Sequence, residues 1–242
     1  MADVAPRPVP TAPFAGRPPK PEKERETRGS GTLVIGLGRF GSSIALTLER
    51  LGHDVLAAER SPDVVSQFTG RFPLVEADCT NPEALVQLGV QDFPVAVVGV
   101  GTSLEASVLI AGNLVDLDVP QIWAKAVSPE HSRILRRIGV HHVVLPEADA
   151  GNRVAHLVSG KLLDYIEVED DFTIVKMRPP RELQGFTIGQ SQIRKRYGVT
   201  VIGVKPPGED FVYATDETRI SANDILIVSG LANLLERFAA RP

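Results

Sequence analysis

From residue 32 onward, short apolar runs alternate with stretches whose apolar residues recur every three or four positions. The runs at 32–36 (TLVIG), 54–58, 74–77, 95–100, 122–126 and 142–145 predict six strands. They are almost unbroken by polar residues, the pattern of strands buried on both faces of a parallel sheet. Between them, residues 40–51, 81–88, 104–117 and 130–138 predict helices. Ile44, Leu48 and Leu51 mark one face of the first, and Asn81 followed by Pro82 reads as the cap and first turn of the second. This alternation predicts an α/β fold, a Rossmann-type doubly wound parallel sheet over residues 31–148.

The pattern changes after Pro146. Val154, Leu157, Val158 and Leu162 lie at helical spacing and predict one helix over 150–165. We read 149–166 as a crossover segment whose apolar stripe packs on a second subunit. Residues 172–177, 199–205, 211–213 and 224–228 then read as strands, with helical segments at 190–197 and 231–238 and a turn at Pro206-Pro207-Gly208. Together, 167–242 predict a small α+β C-terminal lobe.

Residues 1–30 obey neither period. They hold seven of the chain's 19 prolines and the charged run Glu22-Lys23-Glu24-Arg25-Glu26. With almost nothing to bury, such a stretch is expected to be a disordered tail.

Composition narrows the function. The chain has 242 residues, 43% of them hydrophobic, and a net charge of −4, which argues against a nucleic-acid binder. A single cysteine, Cys79, leaves no intramolecular disulfide and fits a reducing cytosol. No apolar run is long enough to span a bilayer, so work at a membrane would go through a partner. The five histidines show no metal-ligand spacing.

Gly36-Leu37-Gly38-Arg39-Phe40-Gly41 is a G-x-G-x-x-G motif placed after a predicted strand and before a predicted helix. Gly36 permits the tight turn, Gly38 lets the backbone approach a pyrophosphate, and Gly41 lets helix and strand pack closely. The helix N-terminus adds free N–H groups for the anion. Glu59 ends the second strand 18 residues past Gly41, where a carboxylate accepts hydrogen bonds from ribose hydroxyls and repels a 2′-phosphate. Arg39, inside the loop, could fork onto a phosphate beyond the first two. Asp78 and Thr102 follow the third and fourth strands, at the edge where ligands bind, and each reads equally well as a helix cap. Cys79 reads as a small buried residue. No lysine of the P-loop type follows the glycines, and the second unit has neither a histidine nor the size of a substrate domain. A nucleotide site without catalytic groups points to a sensor. The alternatives are an NAD-dependent oxidoreductase and a redox-sensing transcription regulator, the latter needing a DNA-binding module that neither terminus offers.

Residues 32–240 resemble the regulator-of-K⁺-conductance (RCK) proteins of the TrkA/KtrA type. The resemblance rests on Val34-Ile35 with the glycine motif, Glu76-Ala77-Asp78-Cys79-Thr80, Ile122-Trp123-Ala124-Lys125-Ala126, Leu145-Pro146-Glu147-Ala148-Asp149-Ala150-Gly151 and Lys195-Arg196-Tyr197-Gly198-Val199. It implies a regulatory subunit rather than an enzyme, with a first lobe that binds ATP or ADP, or NAD(H) in some relatives. It implies homodimers that assemble into an octameric cytoplasmic ring and gate a membrane K⁺-translocating partner of the KtrB/TrkH kind. The residues it assigns to the nucleotide are Gly36, Leu37, Gly38, Arg39, Phe40, Gly41, Glu59, Arg60, Asp78, Cys79, Thr102 and Lys125. The family usually has Asp where this chain has the longer Glu59. Glu147 is implied to bind a divalent cation, Mg²⁺ or Ca²⁺, near the terminal phosphates. Ile188, Gln192, Ile193, Arg194 and Val201 match a second-ligand site for cyclic di-AMP (c-di-AMP) in the C-terminal lobe.

Overall fold

The computed structural model describes residues 29–241 apart from 159 and 170, so most of the expected tail lies outside the described residues. The chain divides into two units, one up to Val144 and one from Leu145.

The first unit is built from β1 (Thr32–Ile35), α1 (Arg39–Arg50), β2 (Val55–Glu59), α2 (Pro62–Phe68), β3 (Leu74–Glu76), α3 (Pro82–Gln87), β4 (Val95–Val98), α4 (Leu104–Asp116), β5 (Gln121–Lys125), α5 (Pro129–Arg137) and β6 (His142–Val144). All six strands are parallel, in the order β3-β2-β1-β4-β5-β6. The order reverses between β1 and β4, which opens a crevice at their carboxyl ends. Leu33, Val34, Ala57, Ala96, Val98, Ile122 and Ala124 are buried, as expected for a sheet covered on both faces. The Asn81 side chain accepts from the Glu83 N–H at 2.9 Å, confirming that cap. One element escaped the pattern: α2 is only seven residues long, and its apolar face is just Val64, Val65 and Phe68, of which Val64 and Phe68 pack half-buried against the core.

The second unit contains α6 (Pro146–Val158), β7 (Leu162–Glu169), β8 (Phe172–Met177), α7 (Ile188–Ser191), α8 (Ile193–Tyr197), β9 (Thr200–Lys205), β10 (Val212–Tyr213), β11 (Ile225–Leu231) and α9 (Ala232–Ala239). Its antiparallel sheet has the order β10-β9-β11-β8-β7. The core gathers Leu162, Tyr165, Val175, Met177, Ile193, Val201, Leu226, Val228, Leu235 and Phe238.

Two expectations need correction here. The helix expected over 150–165 starts earlier, at Pro146, and stops at Val158. Gly160, at φ +74°, then turns the chain into β7, which pairs antiparallel with β8. Leu162 therefore belongs to a strand, and the crossover helix is shorter than 149–166. Register shifts in β7 spoil its period-two alternation, so a helical spacing running from Val154 to Leu162 was an accident of composition. The helix expected over 190–197 is two short ones, broken at Gln192, which adopts a left-handed conformation at φ 46°. A capping box closes the first: Thr187 Oγ1 accepts from the Gln190 N–H and Gln190 Oε1 from the Thr187 N–H.

Candidate functional site

The crevice at the carboxyl edge of the first sheet is a cleft of about 140 Å³, lined among others by Gly36, Gly38, Glu59, Arg60, Asp78, Cys79, Gly101 and Thr102. Three glycines of the loop serve three different ends. Gly36 sits at φ +87°, and a Cβ there would meet Val100 Cγ2 at 2.8 Å. A Cβ on Gly41 would run into the Gly36 carbonyl oxygen, so α1 can lie against β1 only without one. A Cβ on Gly38 would meet nothing within 4 Å. Gly38 is thus not needed for packing; it leaves open the space a ligand backbone contact requires.

Glu59 closes the loop from the next strand. Its Oε2 accepts from the Leu37 N–H at 2.7 Å and its Oε1 from the Ser61 N–H at 2.8 Å. Each carboxylate oxygen keeps a lone pair for a hydroxyl, so the two amides orient the group toward the cleft without exhausting it. Leu37 contributes only its backbone, because its side chain is buried in the core with Val34 and Ala57. Phe40 likewise packs against that core. Arg39 is exposed at the start of α1 and does not line the cleft.

The opposite wall comes from β3 and β4. Thr80 donates through its hydroxyl and its N–H to Asp78 Oδ1 at 2.7 and 3.1 Å. Those bonds, helped by Arg60 3.8 Å away, hold the Asp78 carboxyl below the usual carboxylate range. Burial beside Asp78 and Glu59 pushes the Cys79 thiol up to about 12. It stays protonated and lines the cleft as a small apolar group. The cap of α4 is Ser103, whose Oγ accepts from the Ala106 N–H at 3.1 Å. Thr102 is therefore not the cap, and its side chain lines the cleft.

Two glycines went unnoticed in the sequence. A Cβ on Gly99 would stand 2.8 Å from the Gly36 carbonyl oxygen and 3.1 Å from Gly41 Cα, so Gly99 lets three backbone segments meet under the loop. A Cβ on Gly101 would stand 3.4 Å from Lys125 Cε, Lys125 Nζ and Val127 Cγ1. That contact brings Lys125, at the end of β5, to the rim. The only signal was a Gly-Val-Gly at the end of the fourth apolar run. A larger cavity, about 330 Å³, lies at the opposite, strand-start edge between Gly31, His53, Asp54, Phe72 and Phe93. It has no glycine loop and no helix N-terminus, so the smaller cleft is the better anion site.

Comparison with known proteins identifies the family. Residues 32–146 match the TrkA-N domain and residues 172–241 the TrkA-C domain. The chain is 34% identical over 207 residues to Ktr system potassium uptake protein A of Bacillus subtilis (strain 168), covering 85% of this chain and 93% of that protein. It belongs to the TrkA/Ktr family. A second relative in this family, Ktr system potassium uptake protein C of the same organism, is 35% identical over 210 residues, or 86% of this chain and 95% of its own. Among solved structures, the GsuK RCK domain superposes with a TM-score of 0.62 at 22% identity, covering 92% of this chain and 49% of that one. The GsuK channel bound to NAD gives 0.63 at 21% identity, covering 92% and 41%. These two likenesses establish the shared RCK fold, and the chain spans about half of the first solved chain or less.

The remaining expected site residues of this TrkA/Ktr chain lie in the second unit. Glu147 is exposed in the first turn of α6. Among the described residues no group of three or more His, Cys, Asp or Glu could hold a metal ion. Of the five residues matched to a second ligand, Ile193 and Val201 are buried in the core and Ile188 packs against it. Gln192 and Arg194 are exposed side by side at the helix break.

Proposed function

We propose that this chain is a nucleotide-sensing regulatory subunit of a membrane K⁺ transporter or channel. It binds an adenine nucleotide, ATP or ADP, in the first unit and controls ion flux through the membrane subunit. The observation that carries the reading is a backbone-built cleft with the Glu59 carboxylate held in its lining by two backbone amides, in a chain similar along most of its length to Ktr potassium uptake proteins. Gly36, Gly38 and Gly41 hold the phosphates, Arg39 reaches in from outside the cleft lining to meet the terminal ones with Lys125, Glu59 holds the ribose, and Asp78 and Thr102 line the base side. NAD(H) is the second reading for the same cleft, favoured by the NAD held in the GsuK channel structure.

Gating follows from linkage. A nucleotide shifts a conformational equilibrium only by binding the two states with different affinity, and ATP and ADP differ by one charged phosphate. Such coupling is typically about 1–3 kcal/mol. Glu147 as the carboxylate for a divalent cation, Mg²⁺ or Ca²⁺, is part of the same reading, since Mg²⁺ is commonly held by only one or two carboxylates. Homodimers forming an octameric ring, a cytoplasmic location beside a KtrB/TrkH-like partner, and c-di-AMP at Gln192 and Arg194 complete the proposal. The chain acts by binding and not by catalysis; a protonated Cys79 offers the cleft no nucleophile.

Calorimetry with ATP, ADP and NADH tests the site, with Gly38→Asp as the control. Micromolar or tighter binding of an adenine nucleotide, lost in the variant, is the expected result. Unchanged binding in Gly38→Asp overturns the site. K⁺ flux in vesicles holding a KtrB-like subunit, with and without this chain and nucleotide, tests the regulation. A flux indifferent to both removes it.

A further inference from the structure

Among the described residues of the first unit, His131 is an ionisable group with 0% of its surface exposed. It lies in the first turn of α5, where Ser128 Oγ accepts from its backbone N–H at 3.1 Å. Its ring does something else. Nδ1 accepts from the Val127 N–H at 3.3 Å. That bond requires Nδ1 without a proton, so the neutral ring carries its hydrogen on Nε2. Nε2 is buried with no hydrogen-bond partner among the described residues. Leaving a buried N–H unpaired is unfavourable, and an apolar side chain of similar shape would avoid it. The imidazole therefore costs the fold something that packing alone would not require.

What it holds is the turn between β5 and α5. Ala126 donates its N–H to the Val144 carbonyl at 2.8 Å, Val127 to the His131 ring, and Ser128 caps the helix. Val127 and Lys125 are the two side chains lying against Gly101, in the wall of the cleft that continues into Thr102. The turn held by His131 is thus the outer support of the cleft's β4 side.

We propose that His131 is a positioning residue for nucleotide binding: its Nδ1 fixes the Val127 amide so that Lys125 stands at the cleft beside Gly101. The inference rests on the nucleotide reading of that cleft. Its ligand is the phosphate end of an adenine nucleotide, and Lys125 is the group through which His131 acts.

Asn provides the decisive variant, because its Oδ1 can stand where Nδ1 stands and accept from the same amide. ADP affinity is measured by calorimetry for wild type, His131→Leu, His131→Asn, Lys125→Met and the double variant His131→Leu/Lys125→Met. His131→Leu is expected to bind ADP about three- to tenfold more weakly, the size of one net hydrogen bond. His131→Asn is expected to recover most of that loss. In the Lys125→Met background, His131→Leu is expected to cost little further, since groups acting as one unit are not additive. Additive losses, or no recovery in His131→Asn, overturn the positioning role and leave His131 a structural residue. Should His131→Leu fail to fold, amide hydrogen exchange at Val127 in wild type and His131→Asn decides: equal protection supports the role, and an unprotected Val127 amide in wild type overturns it. Wild type that binds no nucleotide overturns the proposed function itself, whereas normal wild-type binding with unchanged His131→Leu overturns this inference alone.

Discussion

The two units present their candidate ligand residues in opposite ways. In the first, the cleft is made of backbone: glycines at 36, 38, 41, 99 and 101, a buried Leu37 that offers only its amide, and a carboxylate steered by two N–H groups. In the second, Ile193 and Val201 are core residues, and only Gln192 and Arg194 face solvent. A site built from main chain at a sheet edge can accept a ligand without disturbing the core. A site that shares its apolar residues with the core cannot be altered without altering stability. In the first unit binding separates from folding at Gly38, whose missing side chain packs on nothing within 4 Å, and in the second only at the exposed Gln192 and Arg194.

The sharpest way to break this comparison is inside the glycine loop. Gly41→Ala is expected to destabilise the first unit by about 3 kcal/mol, because the methyl group meets backbone that cannot move aside. Gly38→Asp is expected to leave the denaturation midpoint nearly unchanged while weakening nucleotide binding at least about 100-fold, by placing a charge against phosphate. Urea unfolding and calorimetry on both variants read the two effects. Equal stability losses would erase the distinction between packing and binding glycines.

The second unit should show the same split between a core and an exposed position. Ile193→Ala is expected to cost about 2–4 kcal/mol, since its side chain is 2% exposed in the core. Arg194→Ala should change stability by less than about 0.5 kcal/mol. If c-di-AMP binds there, Arg194→Ala should lose that binding at unchanged stability. Thermal shift with and without c-di-AMP separates the two.

Smaller effects sharpen the picture. Glu59→Gln loses the charge that strengthens bonds from ribose hydroxyls and, with an NH2 group in place of one oxygen, one of the two amide bonds that orient the side chain, so ADP affinity should fall about tenfold. Its discrimination against a 2′-phosphate should relax as well, which competition between NADH and NADPH would show. The smallest expected effect is on pH. Burial lowers the His131 pKa below 6.5, and burial with the neighbouring His142 lowers that of His141. His141 Nδ1 accepts from the Ile122 N–H at 3.1 Å, so neutral imidazoles hold backbone amides near both ends of β5. With folded pKa values below the unfolded one, the unfolded chain binds more protons as pH drops. Stability should therefore be full above about pH 7 and decline as pH falls through 6.5, by at most about 1.4 kcal/mol per pH unit for the buried His131 and less for the exposed His141. Urea midpoints across pH 5–8 would show the slope, and His131→Asn should flatten it.

Much of the first unit was legible because its signals are local. A buried parallel strand is an apolar run, a doubly wound sheet is such runs alternating with helices, and the phosphate loop is spelled by three glycines in a row of six residues. Asn81 as a cap needed no tertiary information either. The helix α2 was not legible, because two turns carrying Val64, Val65 and Phe68 are too short to set a helical period apart from a short apolar run. Ser103 and Thr102 could not be told apart as caps, since both residue types cap helices and only the backbone path selects one.

By itself the sequence determined two units, a six-stranded parallel sheet, a glycine loop with an acid on the next strand, and a resemblance that family comparison bears out. The tertiary structure decided what depends on distant partners. Residues 162–169 became a strand because β8 supplied the hydrogen bonds, and Gly160 supplied the turn that allowed it. Gly99 became a site residue because Gly36 and Gly41, far away in the chain, crowd its missing side chain. His131 became a support of the cleft because folding buried it against an amide four residues earlier, with Gly101 on the far side of that turn. Local chemistry can be read along the chain, whereas which groups end up facing one another is settled only when loops close and non-local contacts form.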